Sequence, residues 1–314
     1  MSTAVIGLGL IGGSLLRALA AAGHDVVGYD ADPATREAAR AAGFRVAGTV
    51  PEAIRGTELT ALAVPLTVLP EVIAEMKGHD GLVTDVTSVK GPVRDLMTGF
   101  RFVGGHPMAG KETSGFAASE AGLFAGCAWV LCLEPHGTDL ADWLSLAGLF
   151  TSMGAQVVPV TATEHDTAVA QISHVPHLFA AVLAQQLLGN PLAGTLAAGS
   201  FRDGTRVAAT RPELTAAMCG GNGSAVRREL HRLIGDLQRL EEHLAAGDPT
   251  SALVPYLSLA SHARGAWPPA PGTPEKVPAD VEALLELGRA GGWVTSVNDT
   301  ELAGMRPETD LFLS

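Results

Sequence analysis

The sequence predicts an α/β fold, with a doubly wound, mostly parallel sheet in the N-terminal half and an all-α C-terminal half. Over residues 1–162, short apolar runs alternate with helical patterns, which is typical of a parallel sheet flanked by helices. From Thr163 onward the chain carries long helical patterns and no clear strand. With 314 residues and 47% apolar content, the chain is long enough for two domains.

The N-terminal strands are predicted from apolar runs at residues 4–9, 25–29, 59–65, 81–86, 100–104, 127–133 and 155–160. Each run is short and is bounded by polar or glycine-containing segments, as expected for buried strands. Helical patterns such as residues 12–22 and 33–42 lie between the runs. This alternation predicts one mostly parallel sheet over the first 162 residues.

A glycine-rich loop follows the first predicted strand and opens a helix. In such a loop the first glycine allows a tight turn, the second lets the backbone approach a pyrophosphate, and the third packs helix against strand. The second predicted strand ends in Asp30, which is suited to the ribose 2′-hydroxyl of the cofactor. The pattern therefore predicts a Rossmann-like dinucleotide-binding domain.

The cofactor is predicted to be NAD, with NADP less favoured. The Asp30 carboxylate would repel a 2′-phosphate, residue 31 is alanine rather than arginine, and Arg36 in the next helix is interpreted as solvated. The residues assigned to the cofactor besides Asp30 are Gly7, Leu8, Gly9, Leu10, Ile11, Gly12, Val64 and Pro65.

His106 is the candidate proton acceptor. It lies in a glycine-bracketed turn directly after an apolar run, where a doubly wound fold exposes side chains to a bound cofactor. An imidazole there exchanges a proton near neutral pH. Ser88 follows another predicted strand, and its hydroxyl could orient the His106 ring or simply cap the next helix.

The helical half contains an unusual segment at residues 171–179. Pro176 removes a backbone donor and should kink the helix, while Ser173 and His177 share one face. His174 and His177 lack a third ligand at suitable spacing, so no metal site is predicted.

Arg202 and Arg206 lie close to an acidic residue, Asp203, in the same half of the chain. Arginine binds carboxylates with two parallel hydrogen bonds. If Arg202 pairs with Asp203, Arg206 is left as the freer carboxylate binder.

The apolar residues of segment 224–246 follow heptad spacing, and they are Val226, Leu230, Leu233, Leu237, Leu240 and Leu244. This seam fits a buried helix in a bundle or a dimer interface equally well. Residues 266–279 are proline-rich and are predicted to be a linker without regular structure. Residues 280–314 are predicted to form a short helix, 280–289, and a hairpin around residues 297–300.

Composition excludes several classes of function. The net charge of −12 and the scattered lysines and arginines argue against nucleic acid as a partner. The three cysteines form no disulfide or metal pattern and fit a reducing, cytoplasmic location. We expect no targeting segment, and no apolar run approaching the roughly 20 residues of a membrane span.

Five motifs, in this order, resemble the prephenate/arogenate dehydrogenase family of tyrosine biosynthesis. They are Gly-Leu-Gly-Leu-Ile-Gly-Gly-Ser at 7–14, Asp-Val-Thr-Ser-Val-Lys at 85–90, Gly-Gly-His-Pro-Met-Ala-Gly-Lys-Glu-Thr-Ser-Gly at 104–115, Ser-His-Val-Pro-His at 173–177 and Phe-Arg-Asp-Gly-Thr-Arg-Val-Ala at 201–208. The resemblance extends from Val5 to about Asn222.

The resemblance implies an NAD-dependent oxidative decarboxylation of a cyclohexadienyl carboxylate, prephenate, to 4-hydroxyphenylpyruvate. By position, His106 matches the partner of the substrate 4-hydroxyl and Ser88 its orienting hydroxyl, while His177 and Arg206 match substrate-binding residues. Ser173 and Lys90 are assigned to the same substrate site. The predicted catalytic residues are thus His106 and Ser88, and the predicted substrate-binding residues are His177, Arg206, Ser173 and Lys90.

The resemblance also implies two domains and a homodimer. Residues 1–162 would form the NAD-binding domain and residues 163–265 the helical substrate and dimerisation domain, followed by the linker and the tail. Thr215 stands where bacterial relatives often carry tryptophan, and the tail is too short for the regulatory domain that some relatives append.

Alternatives stay open at this point. Arogenate or 4-amino-4-deoxyprephenate differs from prephenate in groups that no motif here distinguishes. A 3-hydroxyacid dehydrogenase would rely on a lysine of the helical half, and residues 163–246 contain none. A protein that only binds NAD would not need His106, Ser88, His177 and Arg206 together.

Overall fold

The computed structural model describes residues 1–298 and 301–308, which fall into two compact units. The N-terminal unit combines Met1–His165 with Ala270–Glu308, and the helical unit includes Asp166–Pro269. The sequence-based division made residues 266–279 a linker and 280–314 a separate tail. In the structure, residues 270–308 instead complete the N-terminal unit.

The N-terminal unit begins with alternating strands and helices: β1 (Ser2–Ile6), α1 (Leu10–Ala21), β2 (Asp25–Tyr29), α2 (Pro33–Ala41), α3 (Val50–Ala53), β3 (Leu59–Leu62), α4 (Leu69–Glu75), β4 (Leu82–Asp85), α5 (Gly91–Leu96) and β5 (Phe102–Val103). The five strands form one parallel sheet in the order β2-β1-β3-β4-β5. The chain reverses its direction of winding at β1, and ligands of doubly wound sheets bind at the carboxyl end of such a position.

The remaining predicted strands of the N-terminal half belong to a second sheet. After Gly104 the chain continues into β6 (Gly105–Pro107), then β7 (Ala128–Cys132), α6 (Leu140–Ser152) and β8 (Gln156–Val160). Strands β7 and β8 are parallel, whereas β6 and β7 are antiparallel. The prediction of one sheet for all seven runs is therefore wrong, because an apolar run indicates burial and not which strand it pairs with.

The boundary between the two units lies within α7 (Ala162–Val169). The helical unit then contains α8 (Val175–Gln185), α9 (Pro191–Leu196), α10 (Gly199–Thr205), α11 (Pro212–Gly221), α12 (Gly223–Leu244) and α13 (Pro249–Gly265). A π-helical turn, Ala170–His174, joins α7 to α8. The irregularity expected at Pro176 thus lies in the turn just before it, since proline lacks the N–H of a regular helical bond.

The continuous helical segment Ala162–Gln185 is long and apolar enough, by length and composition alone, to match a membrane span. The expectation that no run approaches this length is wrong on that criterion. Ala170, Val175 and Ala180 of this segment are buried within the helical unit. Apolar helices that pack against other helices of a protein meet the same criterion.

The heptad seam of α12 is divided between two environments. Its first part packs into the core of the helical unit, where Val226 is buried with partly buried Leu230 and Leu233. Its second part is open in the single chain, with Leu237 49% and Leu244 60% exposed. The first half of the seam is therefore part of a helical bundle. The second half is an apolar face that is exposed in the single chain.

Residues 270–308 add three strands to the second sheet. They form β9 (Ala270–Pro271), β10 (Glu275–Lys276), α14 (Val281–Arg289), β11 (Trp293–Asn298), β12 (Glu301–Met305) and β13 (Pro307–Glu308). The sheet order is β10-β12-β11-β8-β7-β6, and β9 pairs with β13. The turn predicted between β11 and β12 includes residues 299 and 300, which lie outside the described residues, as do residues 309–314 of the predicted tail.

The predicted linker contains short strands because its prolines occupy edges. Pro271 of β9 pairs with Pro307 of β13 in a two-stranded sheet. Proline is tolerated at such positions, where its nitrogen need not donate to a ladder.

Candidate active site

The glycine loop after β1 has the geometry of a phosphate cradle. Gly7 has φ +95°, and a Cβ there would lie 2.5 Å from the Ala63 carbonyl oxygen, while a Cβ at Gly12 would overlap the carbonyl of Gly7. At Gly9, by contrast, a Cβ would meet no described atom within 4 Å. Helix α1 starts after Gly9 with no acidic residue in its first turn. Its first N–H groups, which lack intrahelical partners, therefore suit an anion such as a pyrophosphate.

Asp30, at the end of β2, supports this loop directly. Its Oδ2 accepts a hydrogen bond from the Leu8 backbone N–H at 2.7 Å, and its Oδ1 accepts one from the Asp32 N–H at 2.9 Å. Arg36 donates from Nη1 to the carbonyls of Asp30 and Ala31, at 2.6 and 3.0 Å. The interpretation of Arg36 as a solvated residue is wrong, because these bonds attach its guanidinium to the end of β2.

The other residues assigned to the cofactor differ in burial and in their position around the loop. Leu8 is fully buried, so only its backbone borders the cradle, whereas Leu10 and Ile11 are partly buried. Val64 and Pro65 follow β3, beside β1, and Val64 Cγ1 lies 3.0 Å from the place of a Cβ on Gly7. The structure brings these predicted residues to one edge of the parallel sheet.

His106 lies on β6, and its ring contacts a second histidine that the sequence analysis missed. The Nδ1 atom of His106 is 2.9 Å from Nε2 of His165, and the two rings meet edge to face at an interplanar angle of 77°. His165 is only 2% exposed and lies on α7. No local motif signals this pairing, because it depends on the strand order of the second sheet.

Ser88 was predicted to orient His106. Within residues 1–298 and 301–308, the Ser88 hydroxyl makes no hydrogen bond, and the partner at His106 Nδ1 is His165. The orienting role of Ser88 stays a prediction for the substrate complex, since catalytic hydrogen bonds often form only there.

Lys90 has a structural role that the sequence analysis did not predict. Its buried Nζ donates to the Asp85 carboxylate, to Thr87 Oγ1 at 3.1 Å and to the Gly105 carbonyl at 2.5 Å. Asp85 Oδ1 in turn accepts the Gly105 N–H at 3.0 Å. The buried ion pair thereby holds both backbone groups of Gly105, the residue before His106, and the substrate-binding role of Lys90 stays a prediction.

In the helical unit, His177 and Arg206 lie close together. His177 is on α8, and Arg206 begins the 3₁₀ turn Arg206–Ala209 that packs on the same helix. Burial lowers the pKa of His177, and the charge of Arg206 lowers it further, against a backbone contact with Val207 that raises it. His177 is therefore neutral near pH 7 and suits a polar, uncharged contact.

Arg206 is exposed, and no ion pair joins Arg202 to Asp203 in the part of the chain that the structure describes. The ion pair between Arg202 and Asp203, which the sequence analysis considered as one alternative, is therefore not formed among these residues. Ser173 lies in the π-helical turn and is partly buried. Its substrate contact stays a prediction.

His174 is a core residue rather than a ligand. It is fully buried, and its Nδ1 lies 3.1 Å from Asn222 Nδ2, which also donates to the Asp166 carbonyl at 2.6 Å. Asn222 therefore ties the start of α12 to α7 and the π-helical turn, a role that the sequence analysis missed.

Comparison with known proteins assigns both halves of the chain. Residues 15–159 match the nucleotide-binding domain of prephenate dehydrogenase, and residues 161–259 match its dimerization domain. The chain belongs to the prephenate dehydrogenase family. It is 34% identical over 266 residues to the cyclohexadienyl dehydrogenase of Zymomonas mobilis, covering 78% of this chain and 89% of the relative. It is 32% identical over 281 residues to the prephenate dehydrogenase of Bacillus subtilis, covering 83% and 75%.

Solved structures of the prephenate dehydrogenase family share the fold. The arogenate dehydrogenase of Synechocystis has a TM-score of 0.73 and 29% identity, covering 85% of this chain and all of that one. Prephenate dehydrogenase of A. aeolicus, in complex with hydroxyphenyl propionate and NAD+, has a TM-score of 0.77 and 26% identity, covering 84% and 97%. The predicted Rossmann-like domain with a helical dimerisation domain is confirmed.

Membership of the prephenate dehydrogenase family decides between the classes of function considered earlier. The chain is an oxidoreductase with a dinucleotide-binding domain and a small-molecule substrate. This membership excludes the two alternative hypotheses, namely a 3-hydroxyacid dehydrogenase and a protein that only binds NAD. Residues 270–308 lie beyond the two matched regions, although they belong to the N-terminal unit.

Proposed function

We propose that this enzyme catalyses the NAD-dependent oxidative decarboxylation of prephenate to 4-hydroxyphenylpyruvate. The observation that carries the proposal is His106, held on β6 in the unit that bears the glycine cradle, with its Nδ1 engaged by His165. A neutral imidazole whose Nδ1–H donates to such a partner presents Nε2 as the proton acceptor. The relatives named for prephenate and cyclohexadienyl substrates support the same reaction.

The chain's residues have two tasks in this reaction. The glycine loop after β1 would hold the dinucleotide, which would supply the hydride acceptor for C4 of the substrate ring. His106 takes the proton of the 4-hydroxyl as the C4–H bond breaks, and returns it to the phenol oxygen as the ring carboxylate leaves as CO2. The protein need only hold the ring and carry one proton, because aromatisation drives the decarboxylation.

Arg206 is proposed to bind a substrate carboxylate, and Arg206→Lys is expected to raise KM for the substrate at least about tenfold. Lysine keeps the charge but loses the planar pair of donors that matches a carboxylate. Steady-state kinetics measures the effect, with cofactor KM expected to change little. Arg202→Lys, an exposed neighbour on α10, is the matched control. Equal KM values for the two variants would contradict the assignment.

NAD is proposed as the cofactor because Asp30 bonds the glycine loop at the Leu8 N–H, and a carboxylate beside the cofactor ribose would repel a 2′-phosphate. Asp30→Asn keeps an acceptor oxygen for the Leu8 N–H but removes the charge, and should reduce the preference for NAD over NADP by about 1–3 kcal/mol. The ratio of kcat/KM with NAD to kcat/KM with NADP measures this preference. Asp25→Asn, at the opposite end of β2, is the control. An unchanged ratio in Asp30→Asn would show that another group selects the cofactor.

The substrate is tested by turnover of prephenate, arogenate and 4-amino-4-deoxyprephenate, each with NAD and with NADP. We expect the highest kcat/KM for prephenate with NAD. The Synechocystis relative is an arogenate dehydrogenase, so arogenate is the second candidate. A higher kcat/KM for either other compound would overturn the choice of prephenate while leaving the reaction type intact.

We propose a homodimer formed through the helical domain. Support comes from the match to a dimerization domain and from the open apolar half of the α12 seam, at Leu237 and Leu244. Exposed Leu257 and Leu259 of α13 extend the apolar surface of the same unit. We propose a cytoplasmic location because the spacing of the three cysteines matches no disulfide or metal-ligand pattern, which fits a reducing compartment.

A further inference from the structure

The contact between His106 and His165 restricts the proton positions on both rings. In a hydrogen bond between two neutral imidazoles, one nitrogen donates and the other accepts. If His106 is to accept a proton at Nε2, its own proton must be on Nδ1, and Nε2 of His165 must be the acceptor. The 2.9 Å separation is the length of an ordinary N–H···N bond of this kind.

His165 is held firmly by the start of α7. Its backbone N–H donates to the Thr161 carbonyl at 2.9 Å. Glu164 Oε2 accepts from Thr161 N–H at 2.9 Å, and Glu134 Oε1 accepts from Ala162 N–H at 2.7 Å. With a 2% exposed side chain, His165 therefore has little freedom to turn away from His106.

The C-terminal segment contributes to this support. Arg289 of α14 donates from Nε to Glu164 Oε1 at 2.7 Å, next to His165 in sequence. Helix α14 packs on β8, the strand that leads into α7. Residues beyond the family-matched region thus brace the turn that carries His165.

We propose that His165 is a positioning residue that holds the His106 ring in the Nδ1–H tautomer and in a fixed orientation. The inference rests on the proposed function, in which His106 accepts the substrate proton. When His106 becomes an imidazolium, its Nδ1–H still donates to the same acceptor, so the bond persists through the proton transfer. His165 thereby does for His106 what a carboxylate does in a Ser-His-Asp triad, but without a charge.

Two variants of His165 test the inference by kinetics. His165→Phe removes the acceptor at similar volume and should lower kcat about 10- to 100-fold, the scale of a hydrogen bond to a group that becomes charged. KM for the substrate and the Kd for NAD should stay within about threefold. His165→Gln places an amide oxygen near the position of Nε2 and should restore most of kcat. His79→Phe, a partly buried histidine bonded to Thr60, is the control.

Nitrogen NMR of the histidine rings provides a readout that does not depend on turnover. In wild-type protein at a pH where His106 is neutral, its ring should show a protonated Nδ1 and an unprotonated Nε2. In His165→Phe the ring should shift towards the Nε2–H tautomer that free imidazole side chains favour. A wild-type His106 in the Nε2–H form would overturn the inference, even if His165→Phe does not fold.

The kinetic outcomes separate the two proposals. If His106→Asn stays active, the proposed function fails whatever His165 does. If His106 is essential while His165→Phe keeps a normal kcat and tautomer, the positioning role alone is overturned. A loss in His165→Phe that His165→Gln does not restore would also contradict it, since a packing role would not depend on an acceptor atom.

Discussion

His106→Asn is expected to lower kcat by about 10²- to 10⁴-fold, the range for loss of a positioned general base. The asparagine amide overlaps the place of Nδ1, so it can still contact His165, while the Nε2 atom that would take the substrate proton is removed. Because β6 and the glycine cradle are unchanged, the affinity for NAD should change little. Steady-state kinetics and calorimetric titration of NAD measure the two quantities.

His136→Asn is the matched control for this experiment, because His136 is an exposed histidine of the same unit. It should leave kcat and NAD affinity as in the unmodified enzyme. Near-normal turnover in His106→Asn would place the proton acceptor elsewhere. His177, which burial keeps neutral, would then be the next candidate.

Lys90→Met is expected to destabilise the enzyme by about 3–5 kcal/mol, because it leaves the Asp85 carboxylate buried without its charged partner. The same change removes the hydrogen bond from Lys90 Nζ to the Gly105 carbonyl. We expect kcat to fall as well, because this bond holds β6 next to His106. Urea unfolding measures the free energy of unfolding. The double variant Asp85→Asn with Lys90→Met should be less destabilised than Lys90→Met, since no unpaired charge is left.

Lys77→Met provides the comparison, because Lys77 is an exposed lysine of the same unit. It should change stability by no more than about 0.5 kcal/mol. A Lys90→Met enzyme of normal stability but with a raised KM for the substrate would favour the predicted substrate-binding role of Lys90 over the structural one.

The glycine loop and its neighbour Asp30 could be predicted from the sequence because their determinants are local. The turn at Gly7, the close packing at Gly12 and the start of α1 all lie within one strand–turn–helix unit. The acid that ends the next strand is brought to the loop by parallel pairing of β1 and β2. What the motif did not reveal is that Asp30 bonds the Leu8 N–H and that Arg36 bonds the strand end.

The candidate substrate-site residues were predicted from their family motifs, and the structure shows that their surroundings differ. Lys90 and Ser88 are two residues apart in one motif, yet Lys90 is buried in an ion pair while Ser88 makes no hydrogen bond among the described residues. His174 and His177 are likewise neighbours, yet one supports the helical core and the other lies beside Arg206. A motif records residue identity and spacing, whereas burial depends on distant segments.

The sequence by itself determined the fold class and the dinucleotide loop, because local spacing and apolar periodicity encode both, and the resemblance of its five motifs indicated the family. The tertiary structure alone decided that residues 270–308 complete the second sheet, that β6 leaves the parallel sheet, and that His165 meets His106. The His106–His165 contact joins residues 59 positions apart. Strand pairing and side-chain contacts at such separations depend on which surfaces come together when the chain collapses, and no local pattern specifies them.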